Sequence, residues 1–297
     1  MNNSEILFLY DAKMTNPNGD PDEENRPRMD YERDINLVSD LRLKRYIRDY
    51  LEMQGERIFV TKLEDKSVKP EKIIDKLKKD LGKKKLTKEE ILKELIDVRL
   101  FGATMPIERD TKTFTGPVQF NWGYSLNKVE LIEAAITSHF STDSKNQQGA
   151  MGRDYRVKYS FIAFSGVISG NRAKHTLLTE DDVNKLDKAM VKSIPLLSTR
   201  SKVGQYPRLY MRVEYKDNET ILGDMRSTIE LIEKNESPRD ISEIKIDVTK
   251  LVKHLEDNKD RIESIYYFAD PNLEIYQEGE EKEFKDIFNS FNLVEVR

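Results

Sequence analysis

The sequence predicts an α+β fold in which strand, helix and strand are followed by a second strand, helix and strand. Three observations carry that prediction. A nearly continuous apolar run, Ile6-Leu-Phe-Leu-Tyr10, opens the chain, and such a run marks a strand central in its sheet. A helical pattern of apolar and cationic residues follows over 37–53. Further on, 157–168 and 208–215 read as strands on either side of a capped helix, 180–193.

After the first strand (about 5–10), Asp11-Ala-Lys-Met-Thr-Asn-Pro-Asn-Gly-Asp-Pro-Asp22 is a polar loop rich in turn residues. Helix 37–53 has Asn36 as its cap and stops before Gly55. Arg57-Ile-Phe-Val-Thr61 reads as a short strand. Residues 62–93 hold 12 lysines and 7 acidic residues and form two helices, 70–81 and 88–100. Thr87 caps the second, Glu90 completes a capping box, and Leu86 and Ile91 form a staple. Phe101-Gly-Ala-Thr-Met-Pro106 then breaks the helix and puts Met105 at a loop tip. Val118, Phe120, Trp122 and Tyr124 alternate with polar residues and glycine as a half-buried strand. Residues 141–152 form a flexible loop. Thr179 with Asp182 opens helix 180–193, which Pro195 ends. In 208–215, Leu209, Met211, Val213 and Tyr215 point inward and Tyr210, Arg212 and Glu214 outward. The remainder offers strand 243–248, helix 249–257, strand 264–268 and a final helix 281–291.

With 63–112 set aside as a Lys-rich helical and loop insertion, the order is β-α-β-β-α-β, that of a ferredoxin-like or RNA-recognition-motif core. Residues 1–62 and 113–216 form this discontinuous palm, and 217–297 is an acidic segment packed on it.

The chain has 297 residues, no cysteine and a net charge of −4. Disulfides, cysteine-ligated metals and cysteine nucleophiles are excluded. Neither a long apolar span nor a leader-like N-terminus is present, so a soluble cytoplasmic protein is expected. The charge is unevenly spread. Residues 1–150 carry net −1, 151–216 net +7 and 217–297 net −10. Holding a polyanion takes a local basic surface, whatever the global sign. A basic middle and an acidic end also suit head-to-tail stacking of identical subunits.

The basic helix is the main candidate for that surface. On a wheel of about 100° per residue, Lys44, Arg45 and Arg48 fall roughly 200–300° from Arg42, and Leu43, Tyr46, Ile47, Tyr50 and Leu51 fill the other half. The apolar half packs on the sheet and the cations face outward, able to bridge successive phosphates. Asn18 in the polar loop, Arg153 and Arg156, and Arg200 and Lys202 in the helix-to-strand connection complete the candidate RNA-binding set. Met105 is a candidate base wedge. Trp122 is a candidate for stacking, with Tyr124, Tyr155, Tyr206 and Tyr210 behind it.

Several chemistries are excluded. Asn16, Asn18, Asp20 and Asp22 alternate as in a calcium loop, but Pro21 and Pro27 occupy positions that need Gly and Glu. His139, His175 and His254 lack metal-pair spacing. No phosphate-binding glycine loop, dinucleotide fingerprint or nucleophile elbow occurs. No metal, cofactor or catalytic residue is expected. The one alternative is RNA cleavage with His175 as general acid.

Six strings occur in order: Asn16-Pro-Asn-Gly-Asp-Pro21 with Arg26-Pro-Arg28, Ser39-Asp-Leu-Arg-Leu-Lys-Arg45, Asp97-Val-Arg-Leu-Phe-Gly-Ala103, Thr115-Gly-Pro-Val-Gln-Phe120, Met151-Gly-Arg153 and Ser198-Thr-Arg-Ser201. Together they resemble the guide-RNA-binding backbone subunit of type I CRISPR Cascade complexes, of subtype I-B or I-C, within the RAMP superfamily. The resemblance covers about residues 5–216 and weakens beyond 217. It implies an RNA-recognition-like palm with finger and thumb-like insertions, the thumb lying in 101–118 or 141–152. It also implies copies that polymerise along the spacer of the guide (crRNA), leaving bases free to pair with target DNA. Cleavage would belong to other Cascade subunits. The family's basic helix maps onto Arg42, Lys44, Arg45 and Arg48. The main competing reading is an RNA-processing endonuclease of the same superfamily, and a second is a structural or interaction protein that binds no nucleic acid.

Overall fold

A computed structural model describes residues 1–64, 66–107, 110–137 and 151–297. Most of the loop expected at 141–152, and His139, lie outside the described residues. The fold is mixed α and β. Its main sheet follows the order Leu293–Glu295, Ile262–Ala269, Gln205–Tyr215, Ser4–Thr15, Met151–Ile168, Gly123–Ser125, Ile35–Val38 and Met29–Asp30. Leu131–Thr137 and Val118–Phe120 also pair with the long Met151–Ile168 strand.

Ser4–Thr15 is the central strand, antiparallel to Met151–Ile168 on one side and to Gln205–Tyr215 on the other. Its side chains alternate between two cores. Ile6, Phe8 and Tyr10 join the core on one face, which holds helices α1 (Asp40–Met53) and α6 (Glu180–Leu196). Leu7 and Leu9 join the other, with Leu251, Val252, Leu255, Phe284 and Phe288 from the C-terminal part. Burial on both faces explains why the run is continuously apolar.

The intervening helices are α2 (Pro70–Asp80), α3 (Lys88–Glu94), α4 (Ile96–Phe101) and α5 (Gly170–Thr176), and α7 (Thr249–Glu256) and α8 (Phe284–Ile287) follow α6. α2, α3 and the antiparallel hairpin Gly102–Ile107 with Asp110–Thr115 share a third, smaller core. Both capping boxes expected from the sequence are formed, at Thr87 with Glu90 and at Thr179 with Asp182. Among the described residues, no helix is long and apolar enough to cross a membrane.

Several elements differ from expectation. α1 begins at Asp40 with Ser39 as its cap, not at 37 with Asn36. Asn36 is fully buried in a strand, donating to the Arg28 carbonyl at 2.9 Å and accepting from Ser160 at 3.1 Å. Residues 57–61 form no strand, because the amides of Phe59 and Val60 donate to Asp97 rather than to a neighbouring strand. The helix expected at 88–100 is broken at Leu95, whose backbone is extended. Residues 118–124 split into two short strands around Trp122. Met105 is in a strand, its side chain fully buried against the third core, so it is no loop tip. The outward set of 208–215 is mostly inside: Tyr210 joins the α1/α6 core, and Arg212 pairs with buried Asp187 at 2.7 Å. The final helix is only α8, followed by the strand Leu293–Glu295 that pairs with Ile262–Ala269.

Candidate nucleic-acid interface

The site is built where the central strand ends. Beyond Thr15 the chain enters the polar loop, and the connection after α6 returns alongside it. The Asn16 amide donates to the Ser201 carbonyl at 2.9 Å, and the Lys13 amide to that of Gly204 at 2.9 Å. Gly204 has a φ of +109°, and a Cβ there would lie 2.6 Å from the Lys13 carbonyl. Only glycine allows this close approach without strain. The loop is also fastened to α1. Asn18 accepts from the Ser39 amide at 2.8 Å and from its hydroxyl at 2.9 Å, and Ser39 caps the helix.

These fastenings bring Arg42 and Lys202 together. Lys202 donates to the carbonyls of Asn16 and of Pro17. Its ammonium pKa is lowered to about 7, first by burial and second by the nearby Arg42 charge. Among the described residues, neither cation has a carboxylate partner. The Arg42 guanidinium stacks 4.1 Å from the Tyr46 ring centroid, while its Nε and Nη2 are buried without a hydrogen-bond partner. Around them, Tyr46 donates to Gln205 at 3.2 Å, and burial raises its pKa. Orphaned buried donors beside a second cation are costly. An anion with several acceptor oxygens removes both costs, because it accepts from the guanidinium and restores the Lys202 charge.

Arg156 and Arg200 gather at the same end. Arg156 donates to the Met14 carbonyl at 2.7 Å and the Arg200 carbonyl at 3.4 Å, and Arg156 and Arg200 share Asp154 at 2.9 and 3.1 Å. Arg28 links the loop to Trp122, pairing with Asp20 at 2.6 Å and lying 6.0 Å from the indole. Trp122 is 44% exposed.

The remaining predicted residues lie elsewhere or are engaged. Lys44 and Arg48 do not face outward, because α4 covers that side of α1. Lys44 binds Asp40 at 3.2 Å and Gln119 at 2.9 Å. Arg48 pairs with fully buried Asp97 at 2.9 Å, and the Phe101 ring lies 5.1 Å away. Arg45 sits one turn along from Arg42, paired with Asp49 at 2.5 Å and donating to the Val60 carbonyl. Arg153 is exposed near the Leu131–Thr137 strand and pairs with Glu133 at 3.0 Å. His175, the alternative's proton donor, lies in the last turn of α5, near the opposite end of the central strand. Among the described residues, no group of three or more His, Cys, Asp or Glu side chains is placed to hold a metal.

Sequence reasoning missed the roles of Tyr46, Gln205 and Ser201. Tyr46 lies one helical turn from Arg42, so its ring and the guanidinium share a face; that spacing was the available signal.

A family model described as CRISPR-associated protein Cas7 matches residues 2–249. A CRISPR-associated protein Cas7 of Haloferax volcanii is 38% identical over 306 residues, covering 93% of this chain and 89% of that protein. Two chains from structures titled CRISPR RNA-guided surveillance complex share the fold. One has a TM-score of 0.54 at 14% identity, covering 97% of both chains. The other, in a pre-nicking state, has a TM-score of 0.51 at 11% identity, covering 93% of this chain and 96% of that one. Matched over most of its length by the family model and by a relative of this identity, the chain belongs to the CRISPR-associated protein Cas7 family.

Proposed function

We propose that the chain is a non-catalytic subunit that binds a guide RNA (crRNA) and polymerises along its spacer as the backbone of a type I Cascade complex. The observation that carries this reading is the pairing of Arg42 with Lys202 beneath a polar loop, two partly buried cations without a carboxylate partner among the described residues. A phosphodiester satisfies both. Phosphate contacts are independent of sequence, so one subunit accepts any spacer. Asn18 holds the loop, Arg156 and Arg200 extend the cationic surface, and Trp122 is the stacking residue. Lys44, Arg45, Arg48 and Arg153, each paired with a carboxylate, lie behind or beside the groove and support it rather than grip the strand. The partners are the guide, copies of the same chain, other Cascade subunits and the target DNA strand paired to the guide. The place of action is the cytoplasm.

The fold supports the same reading. With Ser4–Thr15, Gly123–Ser125, Met151–Ile168 and Gln205–Tyr215 as core strands and α1 and α6 as the helices, the chain order is β-α-β-β-α-β. We read 1–62 and 113–216 as the palm, 63–112 as the insertion and 217–297 as a segment packed on the palm.

Purifying the full chain and sequencing the RNA that accompanies it tests the proposal. Large assemblies carrying RNA of varied spacer sequence are the expected result. Nucleic-acid-free protein, or RNA cut in a His175-dependent way, would overturn it.

A further inference from the structure

A second cationic cleft lies near the other end of the central strand. α5 is anchored there: the Gly170 amide donates to Asn3 at 2.9 Å, and Ser4 pairs with Ile168. The strand has 12 residues. At about 3.3 Å per residue, its two ends are roughly 36 Å apart. The cleft has a volume of about 260 Å³ and is lined from three separate segments. α3 supplies Lys88, the hairpin supplies Thr113 and Thr115, and α5 supplies Arg172, His175 and Thr176. Among the described residues, none that lines the cleft is a carboxylate.

Two observations set this cleft apart from an ordinary solvated face. Thr176 is 1% exposed, and its hydroxyl has no hydrogen-bond partner although the residue lines the cleft. Buried hydroxyls are ordinarily paired. Lys88 is the first residue of α3, where the helix dipole disfavours a cation. Its ammonium sits 5.2 Å from the Phe114 ring, which tethers it over the cleft. Among the described residues, Lys88, Arg172 and His175 have no carboxylate partner. Three cation-capable groups and three hydroxyls match the several acceptor oxygens of a phosphodiester. Exposed Lys174 continues the positive surface, as a polymeric anion requires.

We propose that this cleft is a second phosphodiester site, gripping a nucleic-acid strand other than the guide. The words "other than the guide" rest on the function proposed above. The cleft itself does not.

The full chain, loaded with its copurified RNA, is titrated with labelled single-stranded DNA and, separately, with labelled duplex DNA. The two arms identify which source of phosphodiester the cleft accepts. The K88Q/R172Q variant is expected to keep its RNA and to bind the preferred DNA at least fivefold more weakly. On single strands its log–log salt slope should shrink by about 1.4, for two lost contacts. R172K should retain binding, and T176V should weaken it about threefold with unchanged thermal unfolding. A folded K88Q/R172Q variant with unaltered DNA affinity overturns the proposal. So does loss of the copurified RNA together with the DNA, which would merge the cleft with the guide groove. Loss of large assemblies with DNA affinity intact also overturns it, by making the cleft a seat for the acidic surface of another copy. Should the wild-type protein carry no RNA, the function above fails, while the same titration on the free protein still decides the cleft.

Discussion

Lys202 carries the most distinctive single-residue behaviour. Burial and the Arg42 charge hold its pKa near 7. A lysine with a depressed folded-state pKa binds fewer protons when folded than when unfolded, from about pH 7 up to its ordinary value near 10.4. In that window the free protein gains stability as pH rises. Phosphate has the opposite preference and favours the charged ammonium. Binding therefore takes up a proton, and affinity falls as pH rises through 7. If only the protonated form binds, the dissociation constant at pH 8 is about tenfold that at pH 6. Fluorescence anisotropy with a single-stranded RNA, on the wild type and on K202R, measures this. The arginine variant should lose the pH dependence while keeping affinity. At this scale the sequence was partly legible. Periodicity placed Arg42, Lys44, Arg45 and Arg48 on one side of a helix. It could not show that Asp97, distant in the chain, captures Arg48, or that Lys202 approaches Arg42.

α1 shows how an element sorts its charges. Its apolar half packs into the core with α6, and its flank at Lys44 and Arg48 is covered by α4. Asp97 on α4 accepts from Arg48 and from the amides of Phe59 and Val60, so one carboxylate fastens three segments. Breaking a buried ion pair from one side leaves an uncompensated charge and costs about 3–5 kcal/mol. Arg48→Ala should therefore lower unfolding stability by about that much in urea titrations, while the folded variant keeps RNA affinity within about twofold. Arg42→Ala should do the reverse, weakening RNA binding with little loss of stability. Helix starts with capping boxes were legible because their hydrogen bonds are local. The α1 start was misplaced because Asn36 answers to Arg28 and Ser160 in a sheet, and no local pattern reports that.

For the whole molecule, the informative fact is that the main sheet is covered on both sides. Strand 208–215 reads as alternating, yet Tyr210 and Arg212 are buried because α6 closes over them. The C-terminal part supplies the second cover and adds Ile262–Ala269 to the same sheet. Arg208 ties these layers together, reaching Asp11 at 2.9 Å and Asp270 at 2.7 Å. The central strand, the paired strands and the two long helices were visible as local periodicity. In the layer that closes the second face, strand 243–248, helix 249–257 and strand 264–268 were legible as well, while the short strands Glu230–Glu233, Ile275–Gln277 and Glu280–Glu281 were not, since elements of two to four residues carry little pattern of their own. The same architecture decides where the free positive charge lies. Lys44 and Arg45 are neutralised by Asp40 and Asp49 of α1 itself and Arg48 by Asp97 of α4, and among the described residues the Arg42–Lys202 pair stays without a carboxylate at the strand end.

The most direct test of that claim is the salt dependence of single-stranded RNA binding by the wild type and by R42Q/K202Q, with folding checked by thermal unfolding. The account predicts that the log–log slope shrinks by about 1.4 in the double variant, for two lost phosphate contacts, with affinity falling at every salt concentration. An unchanged slope and affinity in the folded variant would contradict it.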